Sequence, residues 1–247
     1  MQTTTIELGY VVGVDIGKLQ DPTAISVNRH NERVEVIDER DRQTAAEAAL
    51  SGIPSPVGGW RNWNRRSSLP RLGSVKGRAS AFELVHLDRL PLGTSYPGVV
   101  EHVKALMWRP PLRGRSRLVV DATGVGEPIV DMMTQAGLQP VPITITAGYT
   151  VQRADRGGWH VPKRDLVDTL AVLFQTERLA IARELRYAQA LVDELLAFEA
   201  RVTAAGRDTY GAREGAHDDL VLATAIAVWY GIRHAPAHSS DFVPVRR

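Results

Sequence analysis

The chain's 247 residues, 44% of them hydrophobic, are enough for one large α/β domain with a substantial core. The absence of cysteine excludes disulfides, thiolate zinc sites and a cysteine nucleophile, and suits a reducing compartment without requiring one. Its 30 Lys and Arg against 28 Asp and Glu leave a formal charge of only +2, so the overall balance announces no polyanion partner.

In chain order, Tyr10-Val11-Val12-Gly13-Val14-Asp15-Ile16-Gly17 comes first, an apolar run that ends in a carboxylate and then a glycine. It predicts a buried strand delivering an acid to the carboxyl edge of a sheet, where ligands of open α/β folds bind. An Asp that opens a turn, helped by Gly17, accounts for this stretch alone equally well. Lys18 to Thr23 is a turn and Ala24 to Val27 alternates like a strand, which makes a hairpin; Arg33 to Ile37 is either a further strand or an extension of the second.

From Arg40 to Ser80 the periodicity disappears. Thr44 to Leu50 allows a short helix, and Gly52 to Gly77 reads as a long loop or insertion carrying Trp60 and Trp63. Between Trp60 and Arg78 stand Arg61, Arg65, Arg66, Arg71, Lys76 and Arg78 with no acid among them, and Arg109, Arg113, Arg115 and Arg117 follow later. These are candidate phosphate contacts, with the tryptophans suited to stacking on bases or ribose. A basic loop whose tryptophans merely cap the core edge fits as well.

Phe82 to Leu87 reads as a third strand. Thr94 or Ser95 then caps a helix with Pro97 in its first turn and Val99, Val100, Val103, Leu106 and Met107 on one face. Arg117 to Asp121 is another apolar strand running into an Asp, followed by Ala122-Thr123-Gly124-Val125-Gly126. Two strands that end in carboxylates invite a shared site. Glu127 and Pro128 open a helix that Gly137 closes, and Val141 to Thr146 is a fifth strand. A hairpin-like stretch runs to Trp159, and a helix opens at Pro162 with Leu166, Val167, Leu170, Leu173 and Phe174 on one face. The next helix is expected to turn Ala188, Leu191, Val192, Leu195 and Leu196 inward. Thr209 to Gly211 is extended. A last helix starts near His217-Asp218-Asp219 and continues through Leu222, Ala223, Ile226 and Trp229, and the tail beyond Ile232 is expected to be loose.

This order of elements is that of a ribonuclease H-like fold, an α/β architecture with a mixed five-stranded sheet flanked by helices. The expectation is a single domain with a core over about residues 10–232, an insertion at 40–80 and a tail at 233–247. The first and fourth strands then lie side by side, which makes Asp15 and Asp121 neighbours, and a helix packed near that edge brings in Asp218 or Asp219. Converging carboxylates repel unless a cation intervenes, and oxygen ligands without thiolates favour Mg²⁺ or Mn²⁺. Two such ions roughly 3.5–4 Å apart activate a water and stabilise the leaving oxygen of a phosphodiester. An acid pair favoured by the helix dipole is the plainer account of Asp218 and Asp219. His160 and His217 are read as structural or supporting. No basic region followed by an apolar one opens the sequence, and Leu220 to Tyr230, the longest apolar stretch, is too short to span a bilayer. A soluble cytoplasmic protein with no membrane partner is expected.

Val12-Gly13-Val14-Asp15 with Asp21-Pro22-Thr23-Ala24, then Val120 to Gly126, then Pro162-Lys163-Arg164-Asp165-Leu166-Val167, and finally His217-Asp218-Asp219-Leu220-Val221-Leu222-Ala223, together resemble the nuclease domain of tailed-phage terminase large subunits. The resemblance covers about Tyr10 to Ile232. It implies a metal-dependent DNA endonuclease that cuts concatemeric phage DNA during packaging with two Mg²⁺ or Mn²⁺ ions. Asp15 and Asp121 would be catalytic metal ligands, with Asp219 or Asp218 as the third. Arg61, Arg65, Arg66 and Lys163 are the candidate DNA contacts. Double-stranded DNA would be the substrate, and a terminase ATPase, small terminase subunit or portal protein the protein partners, in the bacterial host cytoplasm. Members of that family usually carry an ATPase motor before the nuclease, and no Gly-rich loop ending in Lys-Ser or Lys-Thr occurs here. The nuclease part alone, or a stand-alone relative, is therefore expected. The alternatives are another ribonuclease H-like nuclease such as a Holliday-junction resolvase, a non-catalytic DNA-binding packaging module, and an actin-like or sugar-kinase ATPase, whose first phosphate loop Gly13 to Gly17 resembles.

Overall fold

The structure, a computed structural model, describes residues 2–17, 21–37, 74–124, 126–155, 157–202, 208–212 and 217–234. The strands are β1 (Gln2–Asp15), β2 (Ala24–Ile37), β3 (Ser74–Arg89), β4 (Ser116–Asp121), β5 (Pro140–Thr146), β6 (Gln152–Arg153), β7 (Trp159–Pro162), β8 (Leu179–Ile181), β9 (Phe198–Val202) and β10 (Asp208–Ala212). The helices are α1 (Tyr96–Met107), α2 (Gly126–Gln135), α3 (Lys163–Gln175), α4 (Ala188–Ala197) and α5 (Asp219–Arg233).

One mixed sheet of eight strands has the order β6-β7-β5-β4-β1-β2-β3-β8, and β9 and β10 form a separate antiparallel pair. The five expected strands are β1 to β5, with Arg33 to Ile37 an extension of β2. Three short strands enlarge the sheet. They are too brief to show a period, and backbone pairing rather than side-chain pattern defines them: β7 runs parallel to β5, β6 antiparallel to β7, and β8 parallel to β3. β3 begins at Ser74, inside the stretch that reads as aperiodic, because a Ser-, Gly-, Lys- and Arg-containing start carries no apolar alternation. The proposed helix at Thr44 to Leu50, Trp60, Trp63, Arg61, Arg65, Arg66 and Arg71 lie outside the described residues, as does the tail beyond His234.

The chain divides into two compact units. The larger, Glu7–Asn31 with Ser80–Val243, contains both hydrophobic clusters and every site residue described below. The smaller, Met1–Ile6, Glu32–Ala79 and Pro244–Arg247, takes the remaining residues of β1, β2 and β3.

In the larger unit the alternation of strand side chains builds two cores, one on each face of the sheet. Tyr10, Val12, Val14, Ile25, Leu118 and Val120 meet Val99, Val100 and Val103 of α1 and Ile129 and Met133 of α2. Val11, Phe82, Leu84, Val119 and Ile143 face the opposite way, onto Leu166, Leu170 and Leu173 of α3, Leu191 of α4 and the whole of α5. Ser95 rather than Thr94 caps α1, its hydroxyl accepting from the Gly98 amide at 3.4 Å over a turn that begins with Pro97. Gly137, at φ +85°, ends α2 in the left-handed region that an L side chain resists.

Helix α5 is buried continuously from Asp219 to Trp229, as its unbroken apolar run demands. It lies very close to the sheet because its neighbours are small. A β-carbon on Gly13 would sit 1.9 Å from the Ala223 carbonyl oxygen, and the Ser26 hydroxyl donates to that same oxygen at 2.9 Å.

Helix α4 departs from the expected orientation. Ala188 and Leu191 are buried and Leu195 packs against the core, but Val192 is 36% exposed and Leu196 78% exposed. The inward position between them belongs to Glu194, only 7% exposed, for a reason that lies in the neighbouring helix.

Candidate functional site

The carboxylate edge follows from strand register. β1 and β4 run parallel with Val12 opposite Leu118, Gly13 opposite Val119 and Val14 opposite Val120. One step further brings Asp15 opposite Asp121. Because side chains alternate, both acids point to the face of Val11 and Val119, which is the face covered by α5. The first residue of α5, Asp219, lies about one turn before Ala223, the residue pressed onto Gly13. Close packing at Gly13 thus delivers the start of α5 to the acids.

Asp15, Asp121, Asp218 and Asp219 line one cleft of about 220 Å³, together with Ile16, Gly17, Asp21, Pro22, Thr123 and His217. Gly17 is required for its rim: a β-carbon there would meet the Asp21 carbonyl oxygen at 2.0 Å, and its amide donates to the Thr23 hydroxyl at 3.0 Å. On the β4 side the Thr123 amide donates to Asp121 Oδ1 at 2.7 Å, and the Ile145 amide donates to the Thr123 hydroxyl at 2.8 Å.

Burial pushes the Asp15 carboxyl well above the ordinary carboxylate range, and the charges of Asp121, Asp218 and Asp219 add to this in that order. Burial raises Asp121 as well, while the hydrogen bonds from Thr123, the hydrogen bond from Asp15 and the charge of Lys163 oppose the rise. Two ionised carboxylates side by side are therefore costly here, and a cation would relieve that cost. The oxygens of the pair are hard, and the leading influences on Asp15 are burial and the like charges of Asp121, Asp218 and Asp219. That donor chemistry fits Mg²⁺ or Mn²⁺.

Asp218 and Asp219 do have counter-charges. The Lys163 ammonium donates to Asp218 Oδ2 at 2.8 Å and lies 5.5 Å from the centre of the Phe198 ring. Arg89, the last residue of β3, grips Asp219 with two prongs, Nε to Oδ2 at 2.8 Å and Nη2 to Oδ1 at 3.0 Å. The same guanidinium donates to Glu194 Oε1, and the other oxygen of Glu194 accepts from the Leu220 and Val221 amides at 3.1 and 3.2 Å. His217 Nδ1 stands 3.9 Å from Asp219. Burial raises both Glu194 and Asp219 against the pull of Arg89.

Among the described residues, no three Asp, Glu or His side chains are arranged to hold a metal ion. The expected third ligand is in the cleft but engaged elsewhere: Asp219 by Arg89, Asp218 by Lys163. Lys163, a candidate DNA contact, is occupied by Asp218 in this arrangement, and Arg61, Arg65 and Arg66 lie outside the described residues. Arg89 and Glu194 escaped the sequence reading. Glu194 left a trace, since an acid three residues after Leu191 interrupts an apolar helical stripe; Arg89, closing a strand next to Asp88, left none.

No family model matches the chain. The terminase large subunit of Thermus virus P23-45 is 26% identical over 144 residues, 58% of this chain, and that of Thermus phage G20c is 25% identical over 114 residues, 46% of this chain. The chain spans only 26% and 20% of the lengths of these two relatives. Among solved structures, the large terminase nuclease from thermophilic phage G20c superposes with a TM-score of 0.52 at 20% identity, over 92% of this chain and 88% of that one. Its magnesium-bound form gives 0.53 at 20% identity, over 91% and 86%. The large terminase nuclease domain of Thermus phage P74-26 gives 0.53 at 20% identity, over 92% and 81%. This chain is similar in sequence to terminase large subunits and has the fold of their nuclease domain.

Proposed function

We propose that the chain is a divalent-metal-dependent endonuclease that cuts DNA during phage genome packaging, using two Mg²⁺ or Mn²⁺ ions. The observation that carries this reading is the pair of acids at the ends of in-register strands, Asp15 and Asp121, lining one cleft with two further aspartates. When bound, such ions activate a water and stabilise the leaving oxygen of the phosphodiester. Asp15 and Asp121 would hold them. Asp218, whose charge also raises the Asp15 carboxyl, is the proposed third carboxylate. Freed of Lys163, it joins the pair, and the released ammonium is then available to a DNA phosphate. Thr123 fixes the Asp121 carboxylate through its amide and braces the β4–α2 turn through its hydroxyl, so that acid is preorganised.

Beside the cleft is a wider cavity of about 540 Å³ that shares Pro22 and His217 with it and is lined by Arg89, His102, Arg186 and Tyr187, among others. Of that lining, Arg186 and Tyr187 suit a phosphodiester backbone approaching the cleft, Arg89 being held by Asp219 and Glu194. Arg61, Arg65 and Arg66 are proposed as further DNA contacts. A packaging role would put the terminase ATPase, small subunit and portal protein alongside it in the host cytoplasm; no helix among the described residues is long and apolar enough to cross a membrane.

Incubating supercoiled plasmid with the protein and Mn²⁺, Mg²⁺ or EDTA tests the reading. Nicked and linear products are expected with either ion and none with EDTA, with little sequence preference, while preferential cutting of a synthetic four-way junction would favour the resolvase alternative. Intact plasmid with every divalent ion, from protein shown to be folded, would falsify the proposal.

A further inference from the structure

We infer that Glu194 and Arg89 form a positioning clamp that sets the start of α5, and with it the Asp218–Asp219 pair, against Asp15 and Asp121. The inference rests on the metal-dependent reading above and assigns roles to two residues outside the set of aspartates.

Helix α5 opens without a side-chain cap of its own: Asp218 occupies the capping position but makes no capping hydrogen bond. Its side chain is turned to Lys163 instead. The orphan amides of the first turn must find acceptors in a buried place, and Glu194 supplies them from α4 by accepting from both Leu220 and Val221. A carboxylate at a helix N-terminus also meets the positive end of the helix dipole. This explains why an acid occupies the inner stripe of α4 while Val192 and Leu196 are turned outward. Glu194's second oxygen accepts from Arg89, and Arg89 in turn holds both oxygens of Asp219.

The chain of contacts is closed, linking the end of β3 and the inner face of α4 to the first turn of α5. Asp219 is its anchor, and Asp218, the adjacent residue, is thereby presented to the cleft. Neither Glu194 nor Arg89 touches the reacting atoms in this account, so both are positioning residues. Partners of this kind behind metal ligands are worth about 10–100-fold in metal affinity.

Two variants leave the net charge of the site unchanged and so separate geometry from electrostatics. Arg89→Lys keeps the charge but loses the two-pronged grip, and Arg89→Gln with Glu194→Gln removes one charge of each sign. Calorimetric titration with Mn²⁺ alone, melting of the metal-free proteins and amide exchange at Leu220 and Val221 are the readouts. The expected result is a Mn²⁺ affinity lowered about 10–100-fold in both variants, in proteins that stay folded, with faster exchange at the two amides in the double variant. Wild-type Mn²⁺ affinity in the folded variants overturns the clamp, and so does loss of fold in both, which would make these residues part of the core rather than of the site. If wild-type protein binds no Mn²⁺ and cuts no DNA, the nuclease reading has failed; if it does both and the variants match it, only the clamp has.

Discussion

Gly13 of β1 lies beneath Ala223 of α5 so closely that a single added methyl group would stand 1.9 Å from the Ala223 carbonyl oxygen and 3.0 Å from the Ala227 β-carbon. Two residues along β1 is Asp15, and one turn back along α5 is Asp219. The contact therefore sets the distance between the strand acids and the helix acids, and it ties an ordinary packing feature to the proposed chemistry.

Gly13→Ala is the direct probe of that contact. The added methyl meets backbone rather than the end of a mobile side chain, so α5 must shift or β1 must bend. Overpacking of this kind costs typically about 1–3 kcal/mol, and the backbone clash puts this site at the upper end of that range or beyond. Urea unfolding should show the loss. Mn²⁺ affinity in whatever remains folded should drop too, whereas an unchanged midpoint would mean that α5 does not bear on Gly13.

The raised carboxyl of Asp15 gives a pH signature. A carboxyl raised in the folded state binds protons more tightly there than in the unfolded chain, so its contribution to stability falls as pH rises. The window opens near the ordinary value of 3.8 and extends upward to the raised value of Asp15. Metal-free protein should therefore lose stability relative to Asp15→Asn as pH climbs through that window, with the gap largest at neutral pH. Melting temperatures of the two proteins at a series of pH values in EDTA test this. Parallel curves would show that Asp15 is not strained by its neighbours.

Adding metal should reverse that strain. An ion bound only by the folded state stabilises by about 2.7 kcal/mol at a hundred times its dissociation constant, which for a chain of this size corresponds to about 5–10 °C in melting temperature. Mn²⁺ or Mg²⁺ should raise the melting temperature of the wild type by that order and EDTA should restore the lower value. Asp15→Asn and Asp121→Asn should abolish the rise and reduce cleavage more than about a hundredfold, beyond what loss of an outer partner costs. Cleavage persisting in either variant would remove that residue from the metal site.

Several of these relationships were legible in the sequence for a definite physical reason. Asp15 and Asp121 end apolar strands, and the two-residue period of a strand decides the face onto which a terminal acid projects once its strand neighbours are known. Asp218 and Asp219 stand where an apolar run begins too abruptly for a surface helix. Arg89 and Glu194 are different, because their partners are 130 and 26 residues away, at Asp219 and Leu220. Helical periodicity placed Leu196 inward on its apolar character, but the demand of two buried amides for an acceptor outweighed it and turned Glu194 in. The hairpin of β6 and β7 shows in the sequence only as a hairpin-like stretch to Trp159, and β8 not at all, because hydrogen bonds to a neighbour rather than side-chain pattern make these short segments strands.

The last prediction separates Asp218 from Asp219, which sequence alone leaves interchangeable. Asp219 is 5% exposed and has both oxygens on Arg89, whereas Asp218 is half-buried and, among the described residues, its side chain is held by Lys163. Asp219→Asn weakens a charged two-pronged bond in a buried place, while Arg89 keeps Glu194; a loss of about 1–3 kcal/mol in stability is expected. Asp218→Asn breaks one partly exposed ion pair worth at most about 1 kcal/mol and also removes a charge that presses on Asp15, so the metal-free protein should melt within a few degrees of wild type. Its deficit should appear instead in Mn²⁺ affinity and in cleavage. The discriminating measurement is thus the pair of metal-free melting temperature and Mn²⁺ titration for each variant. If Asp218→Asn unfolds early and binds Mn²⁺ normally, while Asp219→Asn melts like wild type and binds none, the two roles are exchanged: Asp219 would be the ligand and Arg89 a counter-ion that it leaves when metal arrives.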